Sequence, residues 1–92
     1  MNWRWDPAKS EANFAKHNIS FQTAVLVFND PLALNILDTY DDELRWRTMG
    51  RIGPIVVLVI HTWPETDEGA GRIISARKAT PHERKAYEEG DI

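Results

Sequence analysis

The stretch Ile55-Val56-Val57-Leu58-Val59-Ile60 constrains the fold of this chain more than any other. Every residue but Leu58 is β-branched, and such side chains favour extended backbone and pack well on a pleated surface. The run does not alternate with polar residues, so both faces of the strand need cover. That places it inside a sheet rather than at its rim. The run is also far shorter than the ~20 residues of a membrane span, and the N-terminus carries no apolar signal core. A soluble, cytoplasmic protein is expected. With no cysteine in the sequence, a disulfide framework and a thiolate zinc site drop out of consideration.

Ninety-two residues suffice for one core, so a single domain over 1–92 is expected. Trp3-Arg4-Trp5 reads as a short edge strand. Asp6-Pro7 then starts a helix, since Asp accepts the first unpaired N–H groups and Pro has none to leave unpaired. The spacing predicts that helix over Pro7 to His17, with Ala8, Ala12 and Ala15 toward the core and Lys9, Asn13 and Lys16 on a solvated stripe. Asn18 suits the left-handed residue that ends a helix. Ser20 caps a second helix in which Phe21, Ala24, Val25 and Phe28 share a face, and Pro31 closes it.

Leu34 to Asp38 and Leu44 to Gly50 read as strands around the acidic turn Thr39-Tyr40-Asp41-Asp42. Ile55 to Trp63 and Arg72 to Lys78 read as an antiparallel hairpin centred near Asp67. Thr80-Pro81-His82-Glu83 is a capping box, and Gly90 ends the helix it opens. The order specifies an α+β fold: two N-terminal helices packed on a mainly antiparallel sheet of about four strands, plus a C-terminal helix.

Eleven Lys and Arg stand against 14 Asp and Glu, a formal charge of −3, which argues against gripping nucleic acid through the overall field. Yet Arg72, Arg77, Lys78, Arg84 and Lys85 lie close together in sequence with only Glu83 among them. No Gly-rich phosphate loop is present, and His17, His61 and His82 are too widely spaced to suggest metal ligands. Neither metal nor cofactor is expected.

RNA cleavage without a metal needs a base for the 2′-hydroxyl, an acid for the leaving 5′-oxygen and fixed positive charge at phosphorus. A hairpin centred near Asp67 sets His61, Ser75 and Arg77 on one sheet face. The joint between Arg77-Lys78 and the helix start at Thr80 favours an anion such as phosphate. Plainer roles stand beside these. A strand-end histidine is more often structural, Arg72 and Arg77 more often form surface ion pairs, and Trp3, Trp5, Trp46 and Trp63 more often serve a core or a partner. The residues alone leave three readings: a ribonuclease, a catalytically silent binding module and a standalone RNA-binding domain.

The segments WDPAKSEANFAKHNISFQTAVLVFNDP, RWRTMG, VVLVIHT and RIISARKATPHERKAYE resemble the BrnT family of type II toxins, which have a RelE-like fold. The resemblance implies a bacterial endoribonuclease that arrests growth. It further implies inhibition by a cognate BrnA-like ribbon-helix-helix antitoxin, in a heterotetramer that touches DNA only through that partner. The family's motif positions fall on Lys9, Asn13, Lys16, His17, Arg45, His61, Arg72, Ser75, Arg77, Glu83 and Arg84. Of these, Arg45, Arg72 and Arg77 are assigned to phosphate and His61 to proton transfer, with Lys16, Ser75 and Arg84 as substrate contacts. Two positions depart from the family pattern. Asn18 stands where glycine is common, and Leu44 stands before Arg45 where many members have Glu. If that Glu is the family's general base, either this copy is weak or Glu43 substitutes for it. The alternative implied role is a silent module that only partners a DNA-binding antitoxin.

Overall fold

A computed structural model describes residues 2–40, 43–64 and 69–90. Asp41 and Asp42 of the acidic turn, and Asp67 at the expected hairpin centre, lie outside the described residues. Among the described residues nine elements follow in chain order. They are β1 (Asn2–Arg4), α1 (Pro7–His17), α2 (Phe21–Ala24), a 3-10 helix (Val25–Asn29), β2 (Leu34–Tyr40), β3 (Glu43–Ile52), β4 (Ile55–His61), β5 (Ala70–Lys78) and α3 (Pro81–Glu89). No described helix is long and apolar enough to cross a membrane.

The sheet has the order β1-β5-β4-β3-β2, so the apolar run of β4 is internal, as its lack of a polar face requires. The sheet has five strands rather than four, because β1 adds to the outer edge of β5 in parallel, Asn2 opposite Ala70 and Arg4 opposite Arg72. That pairing also starts β5 at Ala70, ahead of the expected Arg72, while β4 stops at His61 rather than Trp63. The second N-terminal helix is a single α turn that tightens into the 3-10 helix. Its sequence turns to poor helix formers, Val25, Val27 and Phe28, and the tightening seats Val27 on Gly50 of β3. A Cβ on Gly50 would lie 2.8 Å from the Val27 carbonyl oxygen, so only glycine permits this approach.

Each sheet face has its own core. Ile19, Phe21, Ala24 and Val27 meet Val57, Val59, Ile73 and Ala76 on the N-terminal-helix face. Tyr87 of α3 meets Met49, Val56 and Leu58 on the other. Val57 and Val59 are fully buried, and burial of a side chain of this size stabilises by roughly 1.5–3 kcal/mol.

Helix α1 docks differently from its sequence pattern. Ala8, Ala12 and Ala15 are exposed, while Ser10 and Asn13 are the buried positions. Asn13 Nδ2 donates to the carbonyls of Ile19 (2.7 Å) and Ala76 (2.8 Å), and Asn13 Oδ1 accepts the Ala76 N–H at 3.3 Å. The amide replaces a neighbouring strand where β1 has run out, satisfying backbone groups that burial would otherwise leave unpaired. At the other end of the chain the capping box forms as expected. Thr80 Oγ1 accepts the Glu83 N–H at 3.1 Å, and a Glu83 carboxylate oxygen accepts the Thr80 N–H at 2.8 Å.

Candidate functional site

The pairing registers decide which side chains share a face. Arg47 lies opposite Ile60, and Ile60 opposite Ser75; Leu58 lies opposite Arg77, and Asp38 opposite Arg45. Period-2 alternation therefore gathers Glu43, Arg45, Arg47, Arg72, Ser75 and Arg77 on the α3 face. Helix α3 covers the part of that face around Met49 and Leu58, and the arginines of β3 and β5 lie beside it.

Glu43 joins two strands there. Its carboxylate accepts Arg45 Nε at 3.1 Å and Arg72 Nη2 at 2.8 and 2.9 Å. These bonds, Arg45 first, hold its pKa below the ordinary carboxylate value, so it stays ionised at any physiological pH. Two guanidinium groups fixed on one carboxylate present planar N–H donors, which suit the oxygens of a phosphodiester. Ser75 is half-buried on the same face.

Arg77 has a different attachment. Its Nη1 and Nη2 donate to the Glu83 carboxylate at 2.7 and 3.0 Å, and Nη1 also donates to the Lys78 carbonyl at 3.2 Å. Glu83, held foremost by Arg77, is pulled down to about 2, and Arg77 is raised in turn. The β5–α3 joint does attract an anion, but the anion is Glu83. The anion expected at that joint is thus supplied by the protein itself, whereas the guanidinium groups of Arg45 and Arg72 converge on Glu43.

His61 is on the opposite face. A regular register from the His61–Ile73 pair would carry Ser75 and Arg77 to the side of His61, as expected from a hairpin centred near Asp67. Instead Ile60 pairs with Ser75 while His61 pairs with Ile73. Ile74 is thus a bulged extra residue that reverses the faces on either side of it. His61 is fully buried and ringed edge-on by Trp3, Phe28 and Trp63 at 4.8–5.2 Å between centroids. A 2.6 Å hydrogen bond joins its Nε2 to Thr48 Oγ1, which in turn donates to Asn35 Oδ1 at 2.7 Å. Burial depresses its pKa to about 4. The imidazole expected to transfer a proton is thus neutral, enclosed by aromatic rings and on the face opposite Ser75 and Arg77. The cleft of about 560 Å³ lined by Trp3, Phe28, Asn35, Thr48 and Trp63 belongs to this aromatic face.

The other expected contacts scatter. Lys16 is exposed on α1, which packs on β5 and α2. Arg84 is exposed on α3, 3.7 Å from Glu88. Glu43 and Arg47 are the residues that sequence reading underused. The alternation Glu43-x-Arg45-x-Arg47 was a visible signal, since one strand face takes every second residue. The Glu43–Arg72 contact spans 29 residues and left no local trace.

No curated protein matches the chain. The family described as ribonuclease toxin, BrnT, of type II toxin-antitoxin system matches residues 5–83. That match covers most of the chain, including every residue of the arginine face. The chain therefore belongs to the BrnT family of type II ribonuclease toxins.

Proposed function

We propose that this toxin is a metal-independent endoribonuclease whose reaction takes place at the Arg45–Glu43–Arg72 cluster. The observation that carries the proposal is the convergence of Arg45 and Arg72, from two different strands, on one ionised carboxylate. Glu43 takes the proton of the RNA 2′-hydroxyl. The 2′-oxygen then bonds to phosphorus as the bond to the 5′-oxygen breaks, giving a 2′,3′-cyclic phosphate and a 5′-hydroxyl whose proton comes from water. Arg45 and Arg72 stabilise the charge on the non-bridging oxygens. In the cell the reaction arrests growth until a ribbon-helix-helix antitoxin covers the toxin.

The silent-module alternative draws support from the same contacts, because Arg45, Arg72 and Arg77 each already meet a carboxylate and Leu44 stands in the place of a family Glu. Purified protein incubated with RNA in a chelator separates the two. Wild type is expected to cleave, Arg72→Ala to lose about two orders of magnitude, and Glu43→Gln to lose about 10²–10⁴-fold. A wild-type protein that binds its antitoxin but neither cleaves RNA nor slows growth would establish the silent module.

A further inference from the structure

We propose that Arg47 is a second phosphate-binding residue, which captures the RNA strand beside the Arg45–Glu43–Arg72 cluster. The inference rests on the reading of that cluster as the cleavage site. Arg47 projects from the middle of the same face, two residues along β3 from Arg45 and in a cross-strand row with Ile36, Ile60 and Ser75. Its Nε is buried and has no hydrogen-bond partner. Its contact with Asp38 Oδ2 is 3.8 Å long, beyond hydrogen-bonding distance, and the side chain is 38% exposed.

The arginines of this face differ in what a ligand would have to break. Arg45 and Arg72 engage a phosphate only in competition with Glu43, and Arg77 only in competition with Glu83. Among the described residues the Arg47 guanidinium makes no hydrogen bond, so swinging it onto a phosphate oxygen breaks none and gives its Nε a partner. Buried donors without partners are rare because each is costly. Here the orphan marks a resting position that a ligand relieves. An apolar residue would complete the row between Ile36 and Ile60 without that cost, giving up the long contact with Asp38. The ligand class follows from the face: a phosphodiester one nucleotide from the scissile one, held through charge and N–H donors without reading the base. Such a contact is made alike before and during reaction, so it contributes to binding more than to chemistry.

The test is Arg47→Met, with Arg47→Lys as its conservative partner. Binding is measured to a mixed-sequence oligoribonucleotide methylated on its 2′-oxygens, which cannot be cleaved, across a salt series; cleavage of the unmethylated strand is followed in parallel. Arg47→Met is expected to weaken binding about tenfold, with the loss in kcat/KM carried by KM, and to make the slope of log K against log salt shallower by about 0.7, one single-strand phosphate contact. Arg47→Lys restores the slope. The melting temperature of Arg47→Met equals or exceeds that of wild type, since an unsatisfied donor has gone and Met suits the isoleucines beside it.

Unchanged affinity and unchanged slope in Arg47→Met would overturn the assignment. So would a loss confined to antitoxin binding, which would give Arg47 to the protein partner. Arg72→Ala separates the levels. If it abolishes cleavage while Arg47→Met binds as wild type, only the role of Arg47 fails; if it also cleaves as wild type, the cleavage site itself is misplaced.

Discussion

Glu83 and His61 show how far a single residue's role depends on partners that the neighbouring sequence does not name. The capping function of Glu83 was legible, because a capping box is written within four consecutive residues. Its hold on Arg77 was less so, because that contact depends on how β5 delivers the arginine to the helix start. The ion pair makes Arg77 part of what holds the helix start in place. Arg77→Ala leaves the Glu83 carboxylate, whose side chain is 19% exposed, without its strongest donor. Allowing for the partial exposure of Arg77, the expected cost is about 1–2 kcal/mol, at least as large as the roughly 1 kcal/mol expected for Thr80→Ala. Urea titrations of the two variants measure this, and an Arg77→Ala midpoint equal to wild type would make the ion pair energetically idle.

His61 gives a pH dependence with a definite sign. Its ordinary value of 6.5 falls to about 4 in the fold because burial disfavours the imidazolium. The unfolded chain therefore binds the proton more readily, and stability falls as pH drops below 6.5, by about 1.4 kcal/mol per unit until about pH 4. By pH 5 the loss approaches about 2 kcal/mol. His61→Gln removes the titration, so its melting temperature, although lower at pH 7, is expected to change little between pH 7 and pH 5. An equally steep decline in that variant would place the acid sensitivity elsewhere.

At the scale of elements, local structure is legible in the sequence and long-range structure is not. The strand character of β4, the left-handed Asn18 with φ 61° and the limits of α1 and α3 all follow from residues within one turn or one strand. The two features with the largest effect on the site are both non-local. One bulged residue, Ile74, put His61 and Ser75 on opposite faces, and no pattern of apolar residues on β5 announces it. The alanines of α1 predict one orientation, whereas Asn13 sets another through bonds to Ala76, 63 residues away. Asn13→Ala is expected to cost about 3 kcal/mol, because the Ala76 N–H and two backbone carbonyls lose a partner inside the protein. Hydrogen exchange gives the sharper check, since the Ala76 amide should lose protection relative to amides in the middle of β4. Retained protection at Ala76 would show that α1 is held by its other contacts.

The whole molecule separates its tasks by sheet face, and this reconciles a net charge of −3 with an RNA substrate. The N-terminal helices and the aromatic ring around His61 occupy one side, while Glu43, Arg45, Arg47 and Arg72 stand on the other. The molecule measures 32 × 28 × 26 Å, and at physiological salt a surface charge is largely screened beyond a Debye length of about 8 Å. On the proposed site, substrate binding is expected to depend on the charges of the arginine face and little on those of α1. That distinction bears on Lys16, assigned to the substrate by family position yet carried on α1. Reversing two α1 charges together, Lys9→Glu and Lys16→Glu, makes the net charge −7, four units below −3. Cleavage at physiological salt is nevertheless expected to stay within about threefold of wild type, because both charges lie on the helix side and are screened. Arg72→Ala changes the net charge by one unit and is expected to cost about a hundredfold. The measurement is kcat/KM for one RNA at low and physiological salt. At low salt the Debye length grows to about 30 Å, so the double variant should slow there by a larger factor while Arg72→Ala keeps its deficit at both. A hundredfold loss in the double variant at physiological salt would return Lys16 to the substrate site and extend the RNA path around the edge of β5 onto α1.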